Sequence, residues 1–314
     1  MWVTQFYDTR IVYGEGSLEH LRELQLSDVV VVTTRSLLDS PLLKEVVSSL
    51  RNFKIVRGPS QHTPKEELES LSSLIENKVV LSLGGGSVID AVKLSSPRFH
   101  ISIPTTLSGA EHTAVAGYSE GGLKKSARVT PPNVVILDPT VLRWTPRRLL
   151  VTTAFRALDH AVEASYSTRS SPFTDALASK GYEYLVKCLE SWDLGLCQVG
   201  TWLASLSFMY AGRGLSHVFG YVFGPAFNIP HGVTSCISLV EAVKFNGGAK
   251  KLGNVVETLE ALLEKHGVKE RLSNYSRLDD ALKYSRVLKE LTNSSENPRK
   301  MTDDDAVRFI RSVY

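Results

Sequence analysis

The sequence predicts a chain in two parts, an α/β part with a mostly parallel sheet and then an all-α part. Two observations predict it. Up to about residue 145, short β-branched runs alternate with amphipathic segments, whereas beyond Pro146 the apolar residues recur at three- and four-residue spacing. Strand–helix–strand repetition argues for parallel pairing with helices on both faces of a sheet. The expected boundary falls at residues 143–148, giving parts of 1–145 and 146–314.

In the first part, "DVVVVTT" (Asp28–Thr34) is continuously apolar and β-branched, as a strand buried on both faces must be. "FKIVRG" (Phe53–Gly58) is a weaker strand. "TPKEELESLSSLIENK" (Thr63–Lys78) has helical spacing and acidic residues in its first turn, where the helix dipole favours negative charge. "VVLSL" (Val79–Leu83), "HISIP" (His100–Pro104) and "NVVILDP" (Asn133–Pro139) are further strands, the first leading through a glycine turn into the helical "VIDAVKLS". After Pro146, "RRLLVTTAFRALDHAVEAS", "TDALASKGYEYLVKCLESW", "GTWLASLSFMYAG", "VTSCISLVEAVKF", "KKLGNVVETLEALLEKHG" and "DDDAVRFIRSVY" read as helices, with no strand expected among them.

The 314 residues, 43% hydrophobic and 22% charged, have ordinary globular composition. A net charge of +3 without a basic block argues against a nucleic-acid partner. No apolar run reaches the roughly 18 residues that span a bilayer. The N-terminal "MWVTQFYDTR" lacks the pattern of a secretion signal, so a cytoplasmic protein without a membrane partner is expected. Cys188, Cys197 and Cys236 have no CxxC spacing and are expected to be reduced thiols.

Gly84, Gly85, Gly86 and Ser87 stand between a strand and a helix. Free N–H groups, the positive end of the helix dipole and the missing Cβ atoms would let a pyrophosphate approach closely. A tight turn that merely tolerates glycine would give the same letters, and the motif is not GxGxxG. Ser87 is a candidate helix cap or phosphate donor, and Asp90 stands at the capping-box position. "SIPTTLSGAE" (Ser102–Glu111) places Thr105 and Thr106 after another strand. Paired threonines are common structural caps, yet in an open α/β sheet ligands sit at the carboxyl ends of strands.

"GGGSVIDAVK", "PTTLSGAEHT", "VILDPTVL", "ALDHAVEA", "GLSHVFGYVFGPAFNIPHG" and "ENPRKMTDDD" occur in an order that resembles the iron-containing alcohol dehydrogenase superfamily. The resemblance implies a dehydroquinate synthase-like architecture: an N-terminal dinucleotide-binding α/β domain, a C-terminal helical domain and an active site in the cleft between them. It implies reversible hydride transfer between NAD or NADP and a carbonyl carbon, in a protein that is often a homodimer. By the same resemblance Gly84, Gly85, Gly86 and Ser87 hold the pyrophosphate, Thr105, Thr106 and Leu107 line the rest of the cofactor, and Asp90 supports the turn. NAD-selective members keep an acid after the second strand; here Thr34 precedes Arg35, which would accept a 2′-phosphate.

His160, His217 and His231 follow the family's spacing, the last two 14 residues apart. A lone histidine on an apolar helix is more often a core residue, but three neutral imidazoles suit divalent iron or zinc, which would polarise a carbonyl. Metal-binding members carry an aspartate four residues before the first histidine. Here that position is Arg156, which repels a dication, so the three-histidine remainder is expected to bind metal weakly or stay empty. Tyr221 replaces a histidine that relays protons; a hydroxyl donor and plain packing are both open. The segment "AVAGYSEGGLKKSARVTPPNVVILDPTV" is similar to maleylacetate reductases, which reduce an unsaturated oxo-dicarboxylate without metal.

Arg156, His160, His217, Tyr221 and His231 are therefore the catalytic candidates. An arginine facing a closed cleft needs an anionic partner, and a substrate carboxylate would fit its fork. The competing expectation pairs Arg156 with Asp159 or Glu163 on its own helix. The expected protein is an NAD(P)-dependent oxidoreductase acting on a carbonyl or oxo-acid. Its rivals are a dehydroquinate synthase-type lyase and a nucleotide-binding paralogue without catalysis.

Overall fold

A computed structural model describes residues 4–61, 63–120 and 123–314. Residues 1–3 of the N-terminal stretch and the glycines 121–122 of the "SEGG" motif lie outside the described residues. Contacts divide the chain after Leu150, and Val151–Tyr314 forms a compact unit of its own. The division falls in the first turn of a helix that begins at Arg147.

The first unit contains β1 (Arg10–Tyr13), α1 (His20–Glu23), β2 (Val29–Thr33), α2 (Pro41–Ser48), β3 (Phe53–Arg57), α3 (Lys65–Ile75), β4 (Val79–Gly84), α4 (Gly86–Leu94), β5 (Phe99–Pro104), β6 (Val115–Glu120), β7 (Leu123–Arg128) and β8 (Val134–Leu137). Six strands form one parallel sheet in the order β1-β8-β5-β4-β2-β3. Alternation along the strands sorts its residues onto two faces. Val29, Val31, Leu81, Leu83, Ile101 and Ile103 pack with Leu42, Leu43 and Val46 of α2. Val30, Val32 and Val80 face the other way, against Leu71 and Ile75 of α3 and Val88, Ala91 and Val92 of α4. Helices thus cover both faces, as the strand–helix alternation predicts.

Five elements were not expected: β1, α1 and α2 were not read from the sequence, nor were β6 and β7, which pair in a separate antiparallel hairpin. Ser87 does not cap α4: Gly85 is the N-cap, in extended backbone, with no side chain bonded to the helix end. Nor does Asp90 close a capping box. Its Oδ2 accepts from Gly117 N at 3.0 Å and its Oδ1 lies 2.9 Å from Lys93 Nζ, tying α4 to β6.

The second unit is helical: α5 (Arg147–Tyr166, from Val151), α6 (Pro172–Ser191), α7 (Leu194–Ala211), α8 (Leu215–Phe227), α9 (His231–Phe245), α10 (Val255–Lys265), α11 (Leu278–Leu282), α12 (Ser285–Ser294) and α13 (Asp303–Val313). Its core gathers Phe219 and Phe223 of α8, Val233 and Ile237 of α9, Leu288 of α12 and Phe309 and Ile310 of α13. The cysteine expectation is corrected here. Cys188 of α6 and Cys197 of α7 form a disulfide, both fully buried, and only Cys236 is a free, buried thiol. Spacing gave no hint of the bridge, because the two cysteines meet through the antiparallel return of α7 along α6. No helix of the described residues is long and apolar enough to cross a membrane.

Candidate active site

In the sheet unit the glycine turn sits where the strand order reverses. β2 leads outward to β3 on one side and β4 leads to β5 on the other, the arrangement whose carboxyl-end crevice binds ligands in open α/β sheets. Register aligns those ends, with Thr33 opposite Leu83 and Gly84 opposite Pro104. Thr34 reaches the same place: a Cβ on Gly84 would lie 3.5 Å from its Cγ2. Thr105 is fixed through its backbone, its N–H donating to Gly84 O at 2.9 Å, and Leu107 is buried.

Thr106 and Ser108 lie directly over the turn. A Cβ on Gly85 would come within 3.0 Å of Thr106 Cγ2, and one on Gly86 within 3.0 Å of Ser108 Oγ. The glycines are therefore required by this loop as well as by any ligand. Yet Thr106 Oγ1 and Ser108 Oγ are buried without a hydrogen-bond partner, beside a helix start that no side chain caps. Sequence reasoning missed Ser108. Lys93, fully buried, holds the loop in place by donating to Ala110 O at 2.6 Å and Val115 O at 2.7 Å.

The helical unit gathers a second polar cluster. On α5, residues 156, 159, 160 and 163 fall on one helical stripe. Arg156 is 3% exposed and donates from Nη1 to Asp159 Oδ2 at 3.3 Å and Ser235 Oγ at 3.0 Å. Its Nη2 donates to His231 Nε2. Ser216 and Ser235 both donate to Asp159 Oδ2 at 2.7 Å. Burial opposes ionisation of Asp159, but His217 and then Arg156 hold its carboxyl well below the usual carboxylate range. Burial likewise pulls the Arg156 guanidinium below its ordinary value, with Asp159 acting against it.

Glu163 anchors the start of α8. Its carboxylate accepts from Gly214 N and Ser216 N, each at 2.6 Å, and from His217 Nδ1 at 2.7 Å. That leaves His217 Nε2, buried, with no partner. His217 also stacks on Phe208 at 4.2 Å and on His160 at 5.1 Å, while His160 Nδ1 meets Ser205 Oγ at 3.0 Å. Tyr221 lies parallel to His231, ring centroids 6.1 Å apart.

The sequence description "Iron-containing alcohol dehydrogenase" matches residues 8–139, and "Fe-containing alcohol dehydrogenase family, C-terminal" matches residues 150–310. The chain belongs to the iron-containing alcohol dehydrogenase family. It is 30% identical to the 1-propanol dehydrogenase PduQ of Salmonella typhimurium, over 77% of this chain and 73% of that protein. It is 25% identical to a maleylacetate reductase of Pseudomonas knackmussii, over 100% and 97% of the two chains. Among solved structures, an iron-containing alcohol dehydrogenase from Corynebacterium glutamicum superposes with a TM-score of 0.88 at 22% identity, covering 100% of this chain and 96% of that one. The protein is thus an oxidoreductase, and neither the lyase nor a non-catalytic paralogue is favoured.

An iron-containing family raises the question of whether these residues fit a metal. The grouped donors are Asp159, Glu163 and His217, with ligand atoms within 4.8 Å of one another, rather than the expected trio of His160, His217 and His231. His217 alone has the form of a prepared ligand, its Nδ1 fixed by a carboxylate and its Nε2 open. Apart from Asp159 Oδ1, buried without a hydrogen-bond partner 3.3 Å from His217 Nδ1, the other donors are largely engaged. Arg156 takes the lone pair of His231 Nε2, and both carboxylates already accept several hydrogen bonds. A guanidinium among them also repels a dication. The set does not fit a tightly held divalent metal. Of the two expectations for Arg156, the geometry shows the pairing on its own helix: Nη1 contacts Asp159 Oδ2, while Nε is buried without a partner.

Proposed function

We propose that this protein reduces the carbonyl group of a small oxo-acid with NAD or NADP. One observation carries the cofactor assignment: the two buried, unpartnered hydroxyls of Thr106 and Ser108 over Gly85 and Gly86. A buried donor left without an acceptor costs roughly 1–3 kcal/mol, and phosphate oxygens at the N-terminus of α4 would satisfy both. Gly84, Gly85, Gly86 and Ser87 cradle the pyrophosphate in this reading; Thr34, Thr105, Thr106 and Leu107 line the cofactor, and Asp90 braces the turn through Gly117. Arg35 is exposed beside Thr34, which favours acceptance of a 2′-phosphate.

When bound, the dinucleotide supplies hydride to the carbonyl carbon, and the oxygen takes a proton. We infer that the polar cluster of α5, α8 and α9 serves that oxygen. Arg156 donates to His231 Nε2, so His231 keeps its proton on Nδ1, and the fixed guanidinium supports negative charge developing nearby. His217 and His160 complete the polar wall, and Tyr221, stacked on His231, is the hydroxyl donor in this reading. Arg156 here takes the part of a fixed cation, with no step through a metal.

An anionic substrate, a homodimer and a cytoplasmic location belong to the same proposal. Relatives named maleylacetate reductase act on an oxo-dicarboxylate, which supports the first. Sedimentation equilibrium measures the second. The third requires the Cys188–Cys197 bridge to persist in a reducing compartment, where such bonds are rare; thiol titration of protein isolated under alkylation reads its state.

The decisive experiment is Thr106→Val, which removes the hydroxyl and keeps the shape. Deleting an unpartnered buried hydroxyl should raise the stability of the ligand-free protein, while NADH or NADPH affinity, followed by fluorescence titration, falls about 5- to 10-fold. Unchanged affinity with raised stability would overturn the cofactor assignment.

A further inference from the structure

With Arg156 closed by Asp159, another residue must read the substrate's negative charge, if the proposed oxo-acid reduction holds. We infer that Arg213 is the specificity-determining residue that receives the substrate carboxylate. Arg213 stands just before α8, outside the helix and ahead of its extended N-cap Gly214, and it meets Tyr221 of that helix through its side chain. It is half-buried, and its guanidinium lies 5.0 Å above the Tyr221 ring, whose other neighbour in parallel is His231. The cation, the tyrosine ring and the imidazole form one continuous wall within the helical unit.

The surroundings fix the backbone of Arg213 and leave its charge unspent. Glu296 accepts from Arg213 N through Oε2 at 3.2 Å, and Glu296 N donates to Arg213 O at 3.1 Å. The other oxygen of that carboxylate, Oε1, lies 3.5 Å from Arg169 Nη1. Among the described residues no carboxylate pairs with the Arg213 guanidinium, whose one recorded contact is the Tyr221 face. A guanidinium placed over an aromatic face keeps its planar fork available for a bidentate carboxylate. Both Arg213 and His231 neighbour the Tyr221 ring, which suits a substrate carrying a carbonyl and a carboxylate on one short chain.

The test compares 4-oxobutanoate with butanal, which share an aldehyde and differ by a carboxylate. Arg213→Ala should lower the ratio of kcat/KM for 4-oxobutanoate over butanal by about 10- to 100-fold, through KM rather than kcat, and Arg213→Lys should restore part of it. A ratio that stays within twofold of the wild type would overturn the inference. Calorimetry with butanoate on the NADPH-mixed protein decides the case without turnover: binding lost in Arg213→Ala supports it, and equal binding in both proteins overturns it. Failure of the wild type to reduce either aldehyde would instead count against the proposed function.

Discussion

Arg156 shows how far one residue reshapes a site. Its position four before His160 was legible from spacing, as were His217 and His231. Spacing offered Asp159 or Glu163 as its partner but could not choose, because both carboxylates also serve residues far along the chain: Ser216 and Ser235, and the backbone of α8. Serines of the facing helices α8 and α9, Ser216 and Ser235, make Asp159 the hub. Two outcomes follow from the pair. Arg156→Ala leaves a buried carboxylate without its cation, so urea unfolding should show a loss of about 3–5 kcal/mol; a loss below about 1 kcal/mol would mean Asp159 does not depend on it. Arg156→Asp removes the repelling charge and releases His231 Nε2. Dialysed against zinc and then buffer, that variant should retain near-stoichiometric metal by atomic emission, and the wild type should not. Equal retention by both would show that the guanidinium does not bar the metal.

At the scale of elements, the β-branched or largely apolar runs of β2, β4 and β8 were legible because burial on both faces demands such residues. β1 and the β6–β7 hairpin were not. β1 is a half-exposed edge strand, and β7, "LKKSAR", is polar; both are strands because a neighbour supplies hydrogen bonds, which composition does not record. The start of α8 depends on a similar long-range contact. Gly214 is its N-cap and carries no side chain, because a Cβ there would lie 2.9 Å from Glu163 Cδ. Gly214→Ala should push that carboxylate off two backbone N–H groups and off His217 Nδ1. We expect a destabilisation of about 1–3 kcal/mol by thermal or urea unfolding, with a loss of kcat from the misoriented imidazole. A variant as stable and as active as the wild type would show that Glu163 can shift without consequence.

For the whole molecule, a net charge of only +3 makes general charge repulsion a minor term near neutral pH, so acid sensitivity falls to individual buried groups. His100 is the foremost. It is 3% exposed on β5, its Nε2 shares a hydrogen bond of 2.8 Å with Ser82 Oγ, and its Nδ1 has no partner. Burial, followed by the nearby Lys93 charge, pushes it from 6.5 down to about 3. A histidine held neutral in the folded state contributes its full stability above the unfolded value near 6.5 and loses it as pH falls toward 3, because only the unfolded chain takes up the proton. The carboxylates with lowered values, such as Asp305 at about 2, act in a lower window, below the unfolded value of 3.8. Between pH 6.5 and 5 the histidine effect therefore stands apart, and should cost about 2 kcal/mol at pH 5. Urea unfolding of the wild type and of His100→Gln, at pH 7 and pH 5, isolates it. The wild type should lose about 2 kcal/mol more than the variant over that interval, and an equal loss in both would mean that another buried group governs the acid response.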